Sequence, residues 1–327
     1  MHKYRNSGNS DNPSVLIIAY RRPENVAKIL ALCDKAQVAE IYLSIDAPKI
    51  DSVAGWEDHR NLLSTIEDFE KSSGRLVHKR IARENQGCAV NLLLGCDWAF
   101  KSAESLIVIE DDCIPTKAFI DFYKSHISYL SHHDDVWLLC GTQFAPLNVT
   151  DGHAVISKYA LTWGWGTTRL KWVEIREIFR QTFSNSQIRT LLTFAGPEKS
   201  FWAAGSRRAK LGFTDVWDTV LLNSMQERGK FAILPPVNLV LNLGADSVST
   251  HVKSNSHWTN RETDENYHVS ENPPKRCSEV DQWLKQKFYS ISLRHILTTK
   301  LTFIFDLLWP RKRRKFDDIL RNRLNNE

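Results

Sequence analysis

Two features of the 327-residue sequence point to an α/β protein with a mostly parallel, doubly wound sheet. Short runs rich in β-branched and apolar residues alternate with longer segments of helical apolar spacing from residue 14 to residue 110. The last of these runs ends in three consecutive carboxylates, Glu110, Asp111 and Asp112. Repeated strand–helix–strand units favour parallel neighbours with helices on both faces. Ligands of such sheets bind beyond the carboxyl ends of the strands, where these acids lie.

The elements follow in order. SVLIIAY (14–20) predicts a strand, and PENVAKILALCDKA (23–36) a helix with Pro23 at its start, where helices accept it. EIYLSID (40–46) is a second strand, WEDHRNLLSTIEDFEKS (56–72) a second helix and LVHKRIA (76–82) a third strand. GCAVNLLLGCDWAFKS (87–102) is apolar on nearly all sides, so it reads as a buried helix before the fourth strand, SLIVIE (105–110). Next come a helix over 118–130 and a strand over 135–141. A Trp- and Gly-rich piece, YALTWGWGTTRLKW (159–172), leads into helix to about residue 210. DVWDTVLLNSMQERGK (215–230) predicts a helix opening with acids, and FAILPPVNLVLNLG (231–244) two strands broken by Pro-Pro. SNSHWTNRETDENYH, within a polar segment spanning 250–280, reads as a mobile loop.

Composition narrows the function classes. A hydrophobic fraction of 42% with 25% charged residues is ordinary for a globular chain, and a net charge of +5 does not make a nucleic-acid binder. The six cysteines form no C-x-x-C pair and sit mostly among apolar residues, as core thiols of a reducing compartment do. The polar start has no apolar leader-like region, and no apolar stretch is long enough to span a bilayer. A cytoplasmic protein is therefore expected, in which the Asn148-Val149-Thr150 sequon has no meaning.

Adjacent carboxylates repel, and a divalent cation is the simplest offset. Hard oxygen ligands suit Mg²⁺ or Mn²⁺, which often bind through one or two carboxylates plus substrate phosphates. A solvated acidic turn is the plainer alternative. Here the sequence resembles a family. IVIEDDCIP is similar to the Asp-x-Asp motif of GT-A fold glycosyltransferases, in the Glu-Asp-Asp form of N-acetylglucosaminyltransferase I. Further segments resemble bacterial sugar transferases of cell-surface polysaccharide synthesis. They are PSVLIIAYRRPENV (13–26), IYLSIDAPK (41–49), ARENQGCAVNLLLGCDWAF (82–100), TWGWGTTRLKW (162–172), VWDTVLLNSMQERGKFAILPPVNLVLNLG (216–244) and DSVSTH (246–251). They stand in the family's order from about residue 13 to residue 251.

The resemblance implies roles. Asp112 would hold the metal that bridges the donor's diphosphate, with Asp111 near the ribose and Glu110 beside them. Asp46 would read the nucleotide base, and Arg21 or Arg22 would lie beside base or phosphate. Trp163, Gly164, Trp165 and Gly166 would form the donor-side glycine loop, with Trp163, Trp165 or Trp217 as a wall for a sugar. Asp218 would be the catalytic base and His251 a late metal- or diphosphate-side histidine. Each has an alternative. Asp46 fits a turn, Trp163 and Trp165 fit a core, Asp215 and Asp218 fit helix-start electrostatics, and His251 fits an exposed loop. Where the family usually has glycine after the second-strand Asp, this chain has Ala47, which bears on base recognition.

Near the C-terminus, HILTTKLTFIFDLLWPRKRRKF (295–316) pairs an apolar run with Arg311, Lys312, Arg313, Arg314 and Lys315. This combination fits an interfacial helix on an anionic inner membrane surface, and equally a packed helix with a solvated basic tail. Nucleic acid is not an expected partner. The expected organisation is a tail over 1–12, a GT-A domain over 13–252, and a polar loop with a helical, basic extension over 253–327. The resemblance implies transfer of a hexosyl or N-acetylhexosaminyl group from a nucleotide-sugar donor to a saccharide or lipid-linked saccharide. The route implied is inverting and uses Mn²⁺ or Mg²⁺. Two alternatives are a sugar-1-phosphate nucleotidyltransferase, whose glycine-rich loop AYRRPEN lacks, and a non-catalytic saccharide-binding module.

Overall fold

A computed structural model describes residues 12–180, 196–210, 216–244, 258–270 and 272–292, together with residues 297 and 301. The chain opens with β1 (Ser14–Ala19), α1 (Pro23–Lys35), β2 (Ile41–Ile45), α2 (Val53–Ser73), β3 (Val77–Ile81), α3 (Cys88–Ala99) and β4 (Ser105–Glu110). These match the expected elements to within a few residues. Local chemistry sets several ends. Pro23 opens α1, and the Ser52 hydroxyl caps α2 by accepting from the Gly55 N–H at 3.2 Å. Gly74 ends α2 at φ +69°, a conformation that glycine adopts without penalty.

The second half is more irregular. It comprises β5 (Cys113–Pro115), α4 (Lys117–His132), β6 (Val136–Cys140), α5 (Leu147–Thr150), β7 (Val155–Ser157), β8 (Trp165–Thr168), α6 (Arg169–Arg180) and α7 (Pro197–Lys210). After these come α8 (Asp218–Arg228), β9 (Phe231–Leu234), β10 (Val240–Asn242), β11 (Lys275–Arg276), α9 (Ser278–Trp283) and a π-helical turn, Leu284–Phe288.

Nine strands form one sheet in the order β11-β7-β9-β6-β8-β4-β1-β2-β3. β3, β2, β1 and β4 run parallel, β8 runs against both β4 and β6, and β6 and β9 are parallel to each other. β7 runs against β9, with β11 parallel to β7. β5 and β10 pair separately as a short antiparallel ribbon.

The sheet is buried on both faces, and strand periodicity divides the core. Leu16 and Ile18 of β1, with Leu106 and Val108 of β4, pack on the side of α3, α6 and α8. Val15, Ile17, Ile107 and Ile109 pack on the side of α1, α2 and α4. This explains why both strands read as unbroken apolar runs rather than alternating ones. α3 fits against β1 and β2 through Gly95, where an added Cβ would lie 2.8 Å from the Ser44 Cβ.

One expectation changes. The piece that reads as a mobile loop is docked over its described residues. The Asn260 N–H donates to the Asn242 carbonyl, the Asp264 N–H to that of Asn238, and the Trp258 ring packs on Phe144 and Phe288. Beyond residue 252, β11 extends the main sheet, and Val280 and Leu284 are fully buried in the core. α8 begins at Asp218, in place of the expected start at residue 215. Asp215, His251 and the cluster Arg311–Lys315 lie outside the described residues. Among the described residues no helix is long and apolar enough to cross a membrane.

Gly166 tests this packing. It sits mid-β8, and an added Cβ would lie 2.2 Å from Tyr123 Cε2 and 2.7 Å from the Leu106 carbonyl oxygen. Tyr123 cannot simply swing away, since its hydroxyl donates to the Thr167 carbonyl at 3.2 Å. Gly166→Ala is expected to lower unfolding free energy by roughly 2–3 kcal/mol, the upper end of the overpacking range. Urea denaturation of the variant checks this; an unchanged midpoint would show that β8 and α4 are not packed this tightly.

Candidate active site

The parallel register gathers the candidate residues at one edge. Ile18 of β1 stands beside Glu110 of β4, and Ala19 beside Ile45 of β2. The residues just beyond, Tyr20–Arg22, Asp46 and Asp111–Asp112, therefore emerge together at the carboxyl end of the sheet.

Asp111 is buried and holds this edge together. Its Oδ2 accepts the Tyr20 N–H at 2.7 Å and the Arg21 N–H at 3.1 Å, and its Oδ1 accepts from Arg22 Nη1 at 2.8 Å. Asn25 Nδ2 donates to its carbonyl at 2.9 Å. Arg22 also lies 4.0 Å from Asp112 Oδ2, so of the two candidate arginines it is the one at the acidic edge. Arg21 turns to α2 and pairs with Asp58 at 2.8 Å.

Asp46 has a matching role at the end of the neighbouring strand. Its Oδ1 accepts the Ala47 and Gln86 N–H groups at 2.9 and 2.7 Å. Its Oδ2 accepts the Gly87 N–H at 2.9 Å and Asn85 Nδ2 at 3.2 Å. A carboxylate offers about four lone-pair sites, and the chain's own donors take them. In this structure the Asp46 carboxylate shapes the loop Asn85–Gly87 that opens α3. The signal was the NQG triplet, which lies inside one of the resembling segments.

Glu110 and Asp112 differ from these two. Glu110 follows the parity of Leu106 and Val108 toward α3, where Cys88 Sγ donates to its Oε2 at 3.5 Å. Burial pushes its carboxyl up to about 8, with Asp112 the next cause and Asp111 and Asp218 adding to it. Asp112 is raised by burial and by repulsion from Asp111, against the pull of Arg22. Cys113 Sγ donates to Asp112 Oδ1 at 3.3 Å, and the Leu243 N–H donates to the Asp112 carbonyl at 2.7 Å. The β5–β10 ribbon thus presses Gly244 against the acid; a Cβ there would lie 2.6 Å from Asp112 Oδ2. Gly244 and Asn242, whose Oδ1 accepts the Gly244 N–H at 2.8 Å, are site residues that sequence reasoning missed.

Asp218 stands at the start of α8 and lines a cavity of about 160 Å³ with Phe144, Leu161, Thr162, Trp163, Phe288 and Tyr289 among its neighbours. Its Oδ1 accepts the Thr219 N–H at 2.7 Å. Trp163 reaches this cavity, packed edge-on to Phe144 at 5.2 Å, and Gly164 beside it takes φ +74°. Trp165, Gly166 and Trp217 do not. Trp165 and Trp217 are 1% and 4% exposed and pack on each other at 5.4 Å, while Gly166 lies inside β8. All three are packed in the core, away from this cavity. Burial, and next Asp218, raise the Tyr289 phenol well above its ordinary value, so it remains protonated and donates to the Ala160 carbonyl at 3.3 Å.

Among the described residues no group of three or more His, Cys, Asp or Glu side chains is placed to hold a metal ion. Mg²⁺ and Mn²⁺ do not require such a group when substrate phosphates complete the shell. Two carboxyls, Asp112 and Glu110, are raised by burial and by neighbouring carboxylates, and hard oxygens in that condition are of the kind a divalent cation offsets.

No protein-family model matches the sequence, and no curated protein matches it. Among solved structures the chain is similar to a UDP-glucose pyrophosphorylase complexed with UDP-glucose. The TM-score is 0.38 at 12% identity, over 68% of this chain and 90% of that one. It is also similar to A197 from STIV, with a TM-score of 0.32 at 10% identity over 70% and 83% of the two chains.

Proposed function

We propose that the protein is a glycosyltransferase that moves a sugar from a nucleotide-sugar donor to a saccharide or lipid-linked saccharide, using Mn²⁺ or Mg²⁺. The observation that carries this reading is the presence of two kinds of acid, one set at the sheet edge and one at the start of α8. Asp112 and Glu110 crowd together at the strand end, and Asp218 lies in an aromatic-lined cavity near enough to raise Glu110. Separated environments for neighbouring carboxylates are how one site keeps a charge-binding acid apart from a proton-accepting one. The ordered resemblance to GT-A sugar transferases supports the same division, and surface polysaccharide or lipopolysaccharide synthesis is the setting it suggests.

In this reading Asp218 accepts the proton of the acceptor hydroxyl. The hydroxyl oxygen then bonds to the donor's anomeric carbon, and the bond from that carbon to the diphosphate breaks. A single displacement of this kind inverts the anomeric centre. Asp112, with Glu110, would hold the cation, whose chemistry when bound is to neutralise charge on the departing diphosphate. Arg22, fixed by Asp111, adds positive charge beside that position. The nucleotidyltransferase alternative has less support. It calls for amides that cradle phosphates after the first strand, and here the Tyr20 and Arg21 N–H groups are taken by Asp111.

Three expected outcomes test the reading. Asp112→Asn abolishes Mn²⁺-dependent nucleotide-sugar binding in calorimetry while the fold survives. By contrast Asp111→Asn breaks a buried pair and lowers unfolding free energy by about 3 kcal/mol. Undiminished Mn²⁺-dependent binding by Asp112→Asn overturns the metal assignment. Second, Asp218→Asn lowers transfer roughly 10²–10⁴-fold with little change in donor affinity, as loss of a general base does. Asp215→Asn does much less, and the reverse pattern in steady-state assays would name the wrong acid. Third, deleting residues 311–327 weakens sedimentation with anionic vesicles, each basic residue contributing about 1 kcal/mol near the surface. A full-length chain that ignores such vesicles removes the membrane role.

A further inference from the structure

The cavity at Asp218 is small and largely aromatic, and Phe288 and Tyr289 form one of its walls. Its volume of about 160 Å³ is well under the ~300–1,000 Å³ of ordinary ligand pockets. A nucleotide sugar does not fit in it. It matches one six-membered ring, since a dry cavity of about 150 Å³ accommodates benzene. Trp163 and Phe288 supply flat apolar faces, while Asp218 and the protonated Tyr289 supply polar groups. Among the described residues no cation lines it. The nearby Arg261 lies against the rings of Phe144 and Trp258, 5.7 Å from each centroid, and donates to the Phe144 carbonyl at 3.1 Å.

The wall formed by Phe288 and Tyr289 belongs to the π-helical turn and the residue after it. Extra-residue turns of this kind recur at functional positions. This one is latched from outside. Lys285 pairs with Glu198 of α7 at 3.1 Å, Lys158 pairs with the same carboxylate at 2.8 Å, and the Tyr159 hydroxyl donates to it as well. The Tyr289 ring packs against Trp202 at 4.8 Å and Tyr159 at 5.2 Å. Much order is thus invested in presenting Phe288 and Tyr289 to the carboxylate of Asp218.

We propose that this cavity is the acceptor subsite, that it takes a single uncharged sugar ring, and that Phe288 and Tyr289 select the acceptor. The inference rests on the glycosyltransferase reading above. The ring's apolar face packs on Trp163 and Phe288, and its reacting hydroxyl points to Asp218. An acceptor ring bearing carboxylate or phosphate is refused, because its charge would be desolvated among aromatic rings in a small cavity that already holds the Asp218 carboxylate. In a lipid-linked acceptor the phosphates therefore lie outside this cavity.

The test uses the full chain with Mn²⁺ and three uncharged probes, the octyl glycosides of glucose, galactose and N-acetylglucosamine. Octyl glucuronide is the charged match of the first. Nucleotide-sugar binding is measured by calorimetry, glycoside binding by saturation-transfer NMR, and transfer by nucleoside diphosphate release. The expected result is that at least one uncharged glycoside binds and accepts sugar at least about tenfold better than the glucuronide. Phe288→Ala should raise that acceptor's KM by about tenfold, the range for loss of apolar contact in a pocket, with donor affinity kept. Phe288→Leu, which keeps the bulk and loses the flat face, should fall between; it serves if the alanine variant does not fold. Equal or better use of the glucuronide overturns the proposal, as does an unchanged KM in a folded Phe288 variant or a failure of all three uncharged probes to bind. If no nucleotide sugar binds with Mn²⁺, the glycosyltransferase reading falls and the subsite with it. If donors bind and only the acceptor results fail, the glycosyltransferase reading stands without this subsite.

Discussion

The Asp111 carboxylate is the contact on which the candidate site depends. A buried carboxylate is costly unless its oxygens are satisfied, and breaking such a pair from one side costs several kcal/mol. Here two successive amides, Tyr20 and Arg21, and the Arg22 guanidinium meet that need. The satisfaction is mutual. The amides belong to the turn that leaves β1, so the acid at the end of β4 fixes how the chain enters α1 and where Arg22 points. Asp46 does the same for the loop Asn85–Gly87 that enters α3. Two buried aspartates at neighbouring strand ends thus pin two loops and leave the edge itself to Glu110 and Asp112.

The strand's period of two explains how three adjacent acids come to differ. Glu110 keeps the parity of Leu106 and Val108 and meets Cys88 on the α3 side, while Asp111 points the opposite way into the β1–α1 turn. Asp112 lies beyond the strand, held by the β5–β10 ribbon and Cys113. Burial and neighbouring carboxylates push Glu110 and Asp112 upward.

The first half of the fold was legible residue by residue. β1, β2 and β4 are apolar because both sheet faces are covered, and α3 is apolar all round because it is buried; nine of its twelve residues are. The short strands β5, β7 and β11 were not legible, because two or three residues carry no periodic signal. The tryptophans were legible only as a group. In TWGWG the two rings are separated by one glycine, and their neighbours in the fold, not their spacing, set them apart: Trp163 reaches the cavity and Trp165 the core.

By itself the sequence determined the class of sheet, the sheet edge at which acids gather and which acids those are. Those follow from local composition and from the rule that parallel strands present their carboxyl ends together. The tertiary structure decided which acids are already engaged. Asp46 and Asp111 accept hydrogen bonds from residues up to 91 positions away in the chain, and no local pattern encodes such partners. It also decided that the chain returns through Phe288 and Tyr289 to close the cavity at Asp218. That wall exists because buried apolar surface and the Lys285–Glu198 pair hold a late segment against an earlier one, and only three-dimensional proximity creates either contact.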